Sequence, residues 1–240
     1  MTTPQTLMVP RRFNGPTSSG NGGYSAGVLA EHLARPSDDG WPVTTIQLRQ
    51  PPPLDSHLQV VEGDAWTEAA YGERVVLRGR LGDAEPEPVP AVDLAVARAA
   101  EESFPGLTQH PFPDCFVCGP AREPGDGLRL FAGEVEPLGD AVRVATTWTP
   151  TEASLPFVWA ALDCPGAWSL DFSERRIVLG QMSARVHRLP EVGHPHVVMG
   201  LAGAHEGRKH FSRTSLYDEH GAVLATTEQV WIAIDPQDFQ

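Results

Sequence analysis

Asp163 is the residue whose surroundings most suit it to chemistry. It lies in Leu155 to Phe172, LPFVWAALDCPGAWSLDF, a run apolar on nearly every face before the carboxylate, as a helix buried on all sides would be. The Asp163-Cys164-Pro165-Gly166 step breaks that helix. Proline is accepted in a first helical turn and Asp favours the N-cap, so a fresh helix is expected from Asp163 through Trp168 and Leu170. The carboxylate then stands beside unpaired main-chain N–H groups among Trp159, Leu162 and Trp168. It is either a helix cap or a general base whose pKa burial raises. Main-chain N–H groups at Gly166-Ala167 face the same region.

A second candidate is Gly15 to Gly23, GPTSSGNGG, feeding an expected helix from Tyr24 to Leu33 with Asn21 as its cap. A helix start left bare by Gly22 and Gly23 can receive an anion or a polarised carbonyl oxygen. The spacing is not that of a P-loop or a dinucleotide fingerprint. The same glycines would equally let the helix pack closely on a sheet, and both readings stay open.

The cysteines form a third group. Cys115 and Cys118 stand in Cys-Phe-Val-Cys-Gly with His110 five residues before the first. That is half a zinc ribbon without a second pair, and His110 and Asp114 would complete it only in cramped geometry. A redox role would want the first cysteine at a helix N-terminus, whereas Cys118-Gly119-Pro120 leads into a loop. Structural thiols are the expectation, metal and redox roles the alternatives, and no metal ligand or cofactor is assigned. Cys164 has no histidine beside it in the sequence and reads as packing. His187, His194, His196, His205, His210 and His220 lie on expected strands and turns without metal-ligand spacing.

The elements that must position these residues follow from periodicity. Arg11–Asn14 reads as a short strand after an irregular start. Strands are expected over Val43–Arg49, Leu58–Trp66 and Glu73–Leu81, then Leu128–Val135 and Ala141–Trp148. Further strands are expected over Ile177–Arg188, His196–His205, His210–Asp218 and Val223–Ile234, with a hairpin at Asp218–Gly221. Asp83–Pro90 has the composition of a linker, and Val92–Ser103 that of a short amphipathic helix. A strand, a buried helix and a run of antiparallel strands thus occur twice, which predicts an α+β architecture. The divisions are 1–82, an intervening stretch 83–127, and 128–240.

The 240 residues carry a net charge of −13, which argues against binding along a nucleic-acid backbone. A local basic patch would still admit an anionic small ligand. Arg185, His187 and Arg188, and then Arg208, Lys209, His210 and Arg213, are the candidates, against a bland reading as solvated strand ends. No apolar run is long enough to span a bilayer and no signal-peptide block is present, so no membrane partner and a cytoplasmic location are expected. Three cysteines, which cannot all pair, fit a reducing compartment.

Three stretches resemble acyl-CoA thioesterases of type II, the double hotdog proteins. They are Gly22-Gly23 with Gly27-Val28-Leu29-Ala30, Leu48-Arg49-Gln50-Pro51, and Ala225-Thr226-Thr227-Glu228-Gln229. The resemblance implies two hotdog units, each an antiparallel sheet wrapped round a central helix, with acyl-CoA bound between them. It also implies a catalytic water held by an Asp, a hydroxyl residue and a Gln. Asp163 and Gln229 match the first and third. The hydroxyl position falls near Leu179, with no Ser or Thr before Ser183, and Gln181 as a substitute.

Gly22, Gly23, Gly166, Ala167, Trp159 and Trp168 are the expected substrate contacts. The leading expectation is a thioester hydrolase; the alternative is a non-catalytic hotdog protein holding an acyl or other apolar ligand. A hotdog hydratase would want an Asp and a His about five residues apart, which neither helix offers. A homo-oligomer is left open.

Overall fold

Alternating Val, Ile, Thr and Leu positions fold into strands that pair antiparallel throughout, and among the described residues they make one sheet. The computed structural model describes residues 5–82, 84–170, 172 and 176–234. The first half comprises β1 (Gln5–Met8), α1 (Gly22–Leu33), β2 (Trp41–Leu48), β3 (His57–Glu62), β4 (Thr67–Tyr71) and β5 (Arg74–Leu81). Then come α2 (Leu94–Ala100), β6 (Gly133–Leu138), β7 (Ala141–Trp148), α3 (Leu155–Ala161) and α4 (Cys164–Trp168). The chain closes with β8 (Ile177–Val186), β9 (His196–Glu206), β10 (Lys209–Tyr217) and β11 (Val223–Ala233).

The strand order is β1-β3-β4-β5-β2-β8-β11-β10-β9-β7-β6. The two sheets expected above are therefore not separate: both halves share one. β2 pairs with β8 through Thr44 to Ala184, Thr45 to Ser183, Ile46 to Met182 and Gln47 to Gln181, fusing them into one sheet of eleven strands. The physical reason is edge satisfaction: each half would otherwise present a row of unpaired N–H and C=O groups, and the other half supplies their partners.

Inside the sheet the helices pack on one another. α1 meets α3 along Gly23 and Gly27. A Cβ at Gly23 would lie 2.5 Å from the Trp159 carbonyl oxygen, and one at Gly27 2.6 Å from Pro156 Cα. Gly23 and Gly27 thus give α1 its close approach to α3, while Gly22 lets its first turn sit against Leu179 of β8.

Several expected boundaries shift. Gln5–Met8 pairs with β3, so the start of the chain is a strand. Arg11–Phe13 is a single 3-10 turn after Pro10, not a strand. Leu58–Trp66 ends early at Glu62, because the bend after it returns the chain as β4, a strand that was not foreseen. Leu128–Val135 begins only at Gly133, since Leu128 and Leu130 donate main-chain hydrogen bonds to Phe116 and Val117 in the cysteine loop.

Of the linker-like stretch 83–90, Asp83 lies outside the described residues. Val89 is fully buried, its N–H donating to Ser215 Oγ at 2.8 Å and its carbonyl accepting from the Tyr217 hydroxyl. The stretch is laid onto β10, where Val89, Ala97, Met199 and Tyr217 share a small second core beneath α2. No helix among the described residues is long and apolar enough to cross a membrane.

Candidate functional site

Asp163 marks the place where the two halves meet. It is the N-cap of α4, yet its side chain makes no capping bond to that helix. Instead, Oδ2 accepts the Gly23 N–H at 3.0 Å and the Asn21 side-chain amide at 2.7 Å, both at the start of α1. The carboxylate thus caps the other half's helix, where the positive end of the helix dipole favours it. Asn21 serves both sides: its Oδ1 accepts the Tyr24 N–H at 2.8 Å while its amide nitrogen holds Asp163.

The second carboxylate oxygen, Oδ1, is buried and makes no hydrogen bond. Asp163 is 3% exposed, and burial pushes its pKa up to about 7, with Cys115 adding to the rise and the Gly23 and Asn21 bonds opposing it. The cap expected on its own helix is thus not made: one carboxylate oxygen holds the start of α1 instead, and the other has no hydrogen-bond partner.

Asp163 lines a cavity of about 610 Å³ together with Asn21, Gly22, Ala167, Leu179 and Trp231. Arg49 and Arg208 also line it, and neither forms an ion pair among the described residues. Elsewhere in the two basic patches Arg185 pairs with Glu85, Arg188 with Asp218 and Arg213 with Glu87, and His187 Nε2 lies 3.1 Å from Glu85.

The remaining expected site residues stand behind the wall. Gln229 is buried at 1% exposure on a central strand. Its amide nitrogen donates to the Leu162 carbonyl at 2.5 Å, and its oxygen accepts from Ser212 Oγ at 2.7 Å and Trp231 Nε1 at 3.2 Å. Gly166 permits this, because a Cβ there would overlap Gln229 Oε1. The Gly166 N–H is spent on the Asp163 carbonyl at 3.1 Å. Trp159 packs under Gly27, and Trp168 packs among Phe104, His110 and Phe172.

Leu179 lies against Gly22. The two polar residues that follow it on β8 and were weighed for the hydroxyl's place turn elsewhere. Ser183 Oγ shares a hydrogen bond with Thr45 at 2.8 Å, and Gln181 accepts from Gln47 at 2.8 Å, both across the β2–β8 seam.

The cysteine loop enters the same wall. Cys115 and Cys118 line the cavity beside Cys164, and the sulfurs of all three lie within 4.8 Å of one another. Cys164 is the residue that sequence reading missed, since the contact spans 49 positions, from Cys115 to Cys164 at 3.8 Å. The only local hint was its place next to Asp163. His110 Nε2 lies 3.3 Å from Cys118 Sγ, and burial holds that imidazole below its ordinary pKa.

No family model and no curated protein matches the chain. Its fold, however, is that of solved thioesterase II structures. It superposes on a putative thioesterase II from Thermobifida fusca with a TM-score of 0.61 and 15% identity, covering 96% of this chain and 92% of that one. A tesB protein of Mycobacterium avium subsp. paratuberculosis gives 0.59 and 11%, with 96% and 92% covered. An acyl-CoA thioesterase II of Mycobacterium marinum gives 0.57 and 10%, with 97% and 93% covered. The chain therefore has a hotdog-type α+β fold over nearly its whole length, and the resemblance seen in its sequence is one of fold.

Proposed function

We propose that this protein hydrolyses acyl thioesters, with acyl-CoA as the substrate class and Asp163 as the base. The observation that carries the reading is Asp163 Oδ1, buried and without a hydrogen bond at the wall of a substrate-sized cavity. A water between this oxygen and the thioester carbonyl would give its proton to the carboxylate as it attacks. The oxyanion so formed would face the N-terminal turn of α1 at Gly22, where main-chain dipoles stabilise negative charge. Collapse breaks the C–S bond, and the proton passes to the departing thiolate. Arg49 and Arg208 suit the phosphates of a CoA-type leaving group on an otherwise acidic protein.

Gln229 acts here through the backbone. By holding the Leu162 carbonyl it fixes the α3–α4 break that aims Asp163. Trp159 and Trp168 support the same break from behind. The fold shared with thioesterase II structures supports the reaction class.

A second reading, a non-catalytic acyl binder, is favoured by one observation. Leu179 lines the cavity where the resemblance implies a hydroxyl residue, and Ser183 and Gln181 are engaged with the other half. The test is hydrolysis of a panel of acyl-CoAs by wild type and by Asp163→Asn, with acyl-CoA binding measured alongside. The variant is expected to lose at least about 100-fold in kcat while still binding. Wild type that binds an acyl ligand yet turns over none of the panel would establish the binder instead.

A further inference from the structure

We propose that Cys115, Cys118 and Cys164 bind a thiophilic divalent metal ion of the zinc class as three thiolates, leaving its fourth coordination position open to the cavity beside Asp163. The inference rests on geometry and does not depend on thioester hydrolysis.

A tetrahedral zinc with bonds of about 2.3 Å to sulfur sets its ligand sulfurs about 3.8 Å apart. Cys115 and Cys164 stand at 3.8 Å, and no pair among the three sulfurs exceeds 4.8 Å. Two cysteines come from one loop, through the Cys-x-x-Cys spacing that lets consecutive thiolates share an ion. The third comes from the first position of α4, so the ion would tie the loop to the turn that carries Asp163.

Two side-chain donors stand beside the sulfurs. The Asn21 side-chain amide lies 4.0 Å from Cys115 Sγ. His110 takes the Phe112 main-chain N–H on Nδ1 at 2.9 Å, so its neutral ring carries the proton on Nε2 and aims it at Cys118. That tautomer decides His110's part. A ligating histidine keeps its proton on the far nitrogen and donates it to an acceptor. Here the far nitrogen meets a donor, so His110 hydrogen-bonds a thiolate and does not complete the metal's shell.

Two buried polar groups at the cluster lack partners, Asp163 Oδ1 and the indole N–H of Trp168, whose ring packs 5.1 Å from His110. Three protein ligands with an open position mark metal sites that meet exogenous ligands, whereas structural sites are closed by four. On binding, each thiol releases its proton, so uptake of the ion is favoured as pH rises.

The experiment uses the full chain purified under a non-thiol reductant. Its metal content is measured by mass spectrometry, and the apo-protein is then titrated with Co2+ and followed by absorption. The expected results are zinc near one equivalent and a sulfur-to-cobalt charge-transfer band. That band should fall by about a third in Cys115→Ser, Cys118→Ser or Cys164→Ser, one thiolate of three. Adding 2-mercaptoethanol should strengthen the wild-type band as a fourth sulfur enters the open position. His110→Ala should keep the ion.

Folded, reduced protein that takes up neither zinc nor Co2+ would overturn the proposal, as would a Cys115–Cys118 disulfide in the purified chain. A cobalt spectrum indifferent to the added thiol would overturn the open position. Should a serine variant fail to fold, the wild-type spectrum and its response to the thiol still decide.

Discussion

Asn21 donates its side-chain amide to Asp163 Oδ2 across 2.7 Å, joining the residue that caps α1 to the residue that opens α4. The contact is made between the two halves. The carboxylate comes from the second half, and the donors that hold it come from the first.

Asn21→Ala removes an N-cap and a donor to a buried carboxylate together, an expected loss of about 1–3 kcal/mol in urea unfolding. Asn21→Asp keeps a capping oxygen for Tyr24 but sets a second carboxyl group against Asp163. It is expected to retain helical circular dichroism and to lose activity, so the pair of variants separates capping from catalysis.

Gly27→Ala places a methyl group against Pro156 Cα and the Trp159 side chain, where backbone must move to admit it. The expected cost is about 1–3 kcal/mol by denaturant unfolding, since overpacked contacts between helices relax poorly. Gly23→Ala meets the Trp159 carbonyl and Asp163 Cβ at 2.5 Å. It should therefore depress activity in addition to stability.

Among the described residues, Gln229→Ala leaves the Leu162 carbonyl with the Thr214 hydroxyl and removes the acceptor for Ser212. Stability should fall by about 1–3 kcal/mol. Because Gln229 acts on the turn beneath Asp163, kcat should drop with KM nearly unchanged. A rise in KM alone would place the amide in substrate binding.

His196 supplies a pH test away from the cavity. It is 1% exposed, with Nδ1 donating to the His194 carbonyl at 2.8 Å, and burial holds its pKa below the ordinary 6.5. The unfolded chain then takes up the proton more readily than the folded one. The stability this group contributes is full above about pH 6.5 and is lost as pH falls from there through the lower folded-state value. Thermal unfolding between pH 8 and 5 should show that loss, and His196→Leu should reduce the slope.

Much of the frame was legible in local pattern. Ala141–Trp148 is a strand at its expected limits, and Asn21 caps α1 as its residue type suggests. The broken helix at Asp163 was legible because proline and glycine punctuate it. What escaped depends on contacts remote in sequence. Gln5–Met8 is a strand only because β3 lies beside it, and Leu128–Phe131 has the apolar content of a strand but is drawn onto the cysteine loop. At the site, Asp163 could be found from its apolar neighbours. Gln229 reads on its own strand as one polar residue, and its engagement with Leu162 appears only when β11 meets the α3–α4 turn. Cys164 is silent in sequence for the same reason.

The pairing of β2 with β8 has a bearing on how the molecule comes apart. Glu85, just past β5, reaches Arg185 and His187 on and beside β8, so the join is bonded by side chains as well as by backbone. Neither portion can melt without exposing the other's interior strand, and heat or denaturant should dissolve both in one step. A chain severed near Ala84 would yield two pieces that recognise each other along that line, and activity would return only on mixing them.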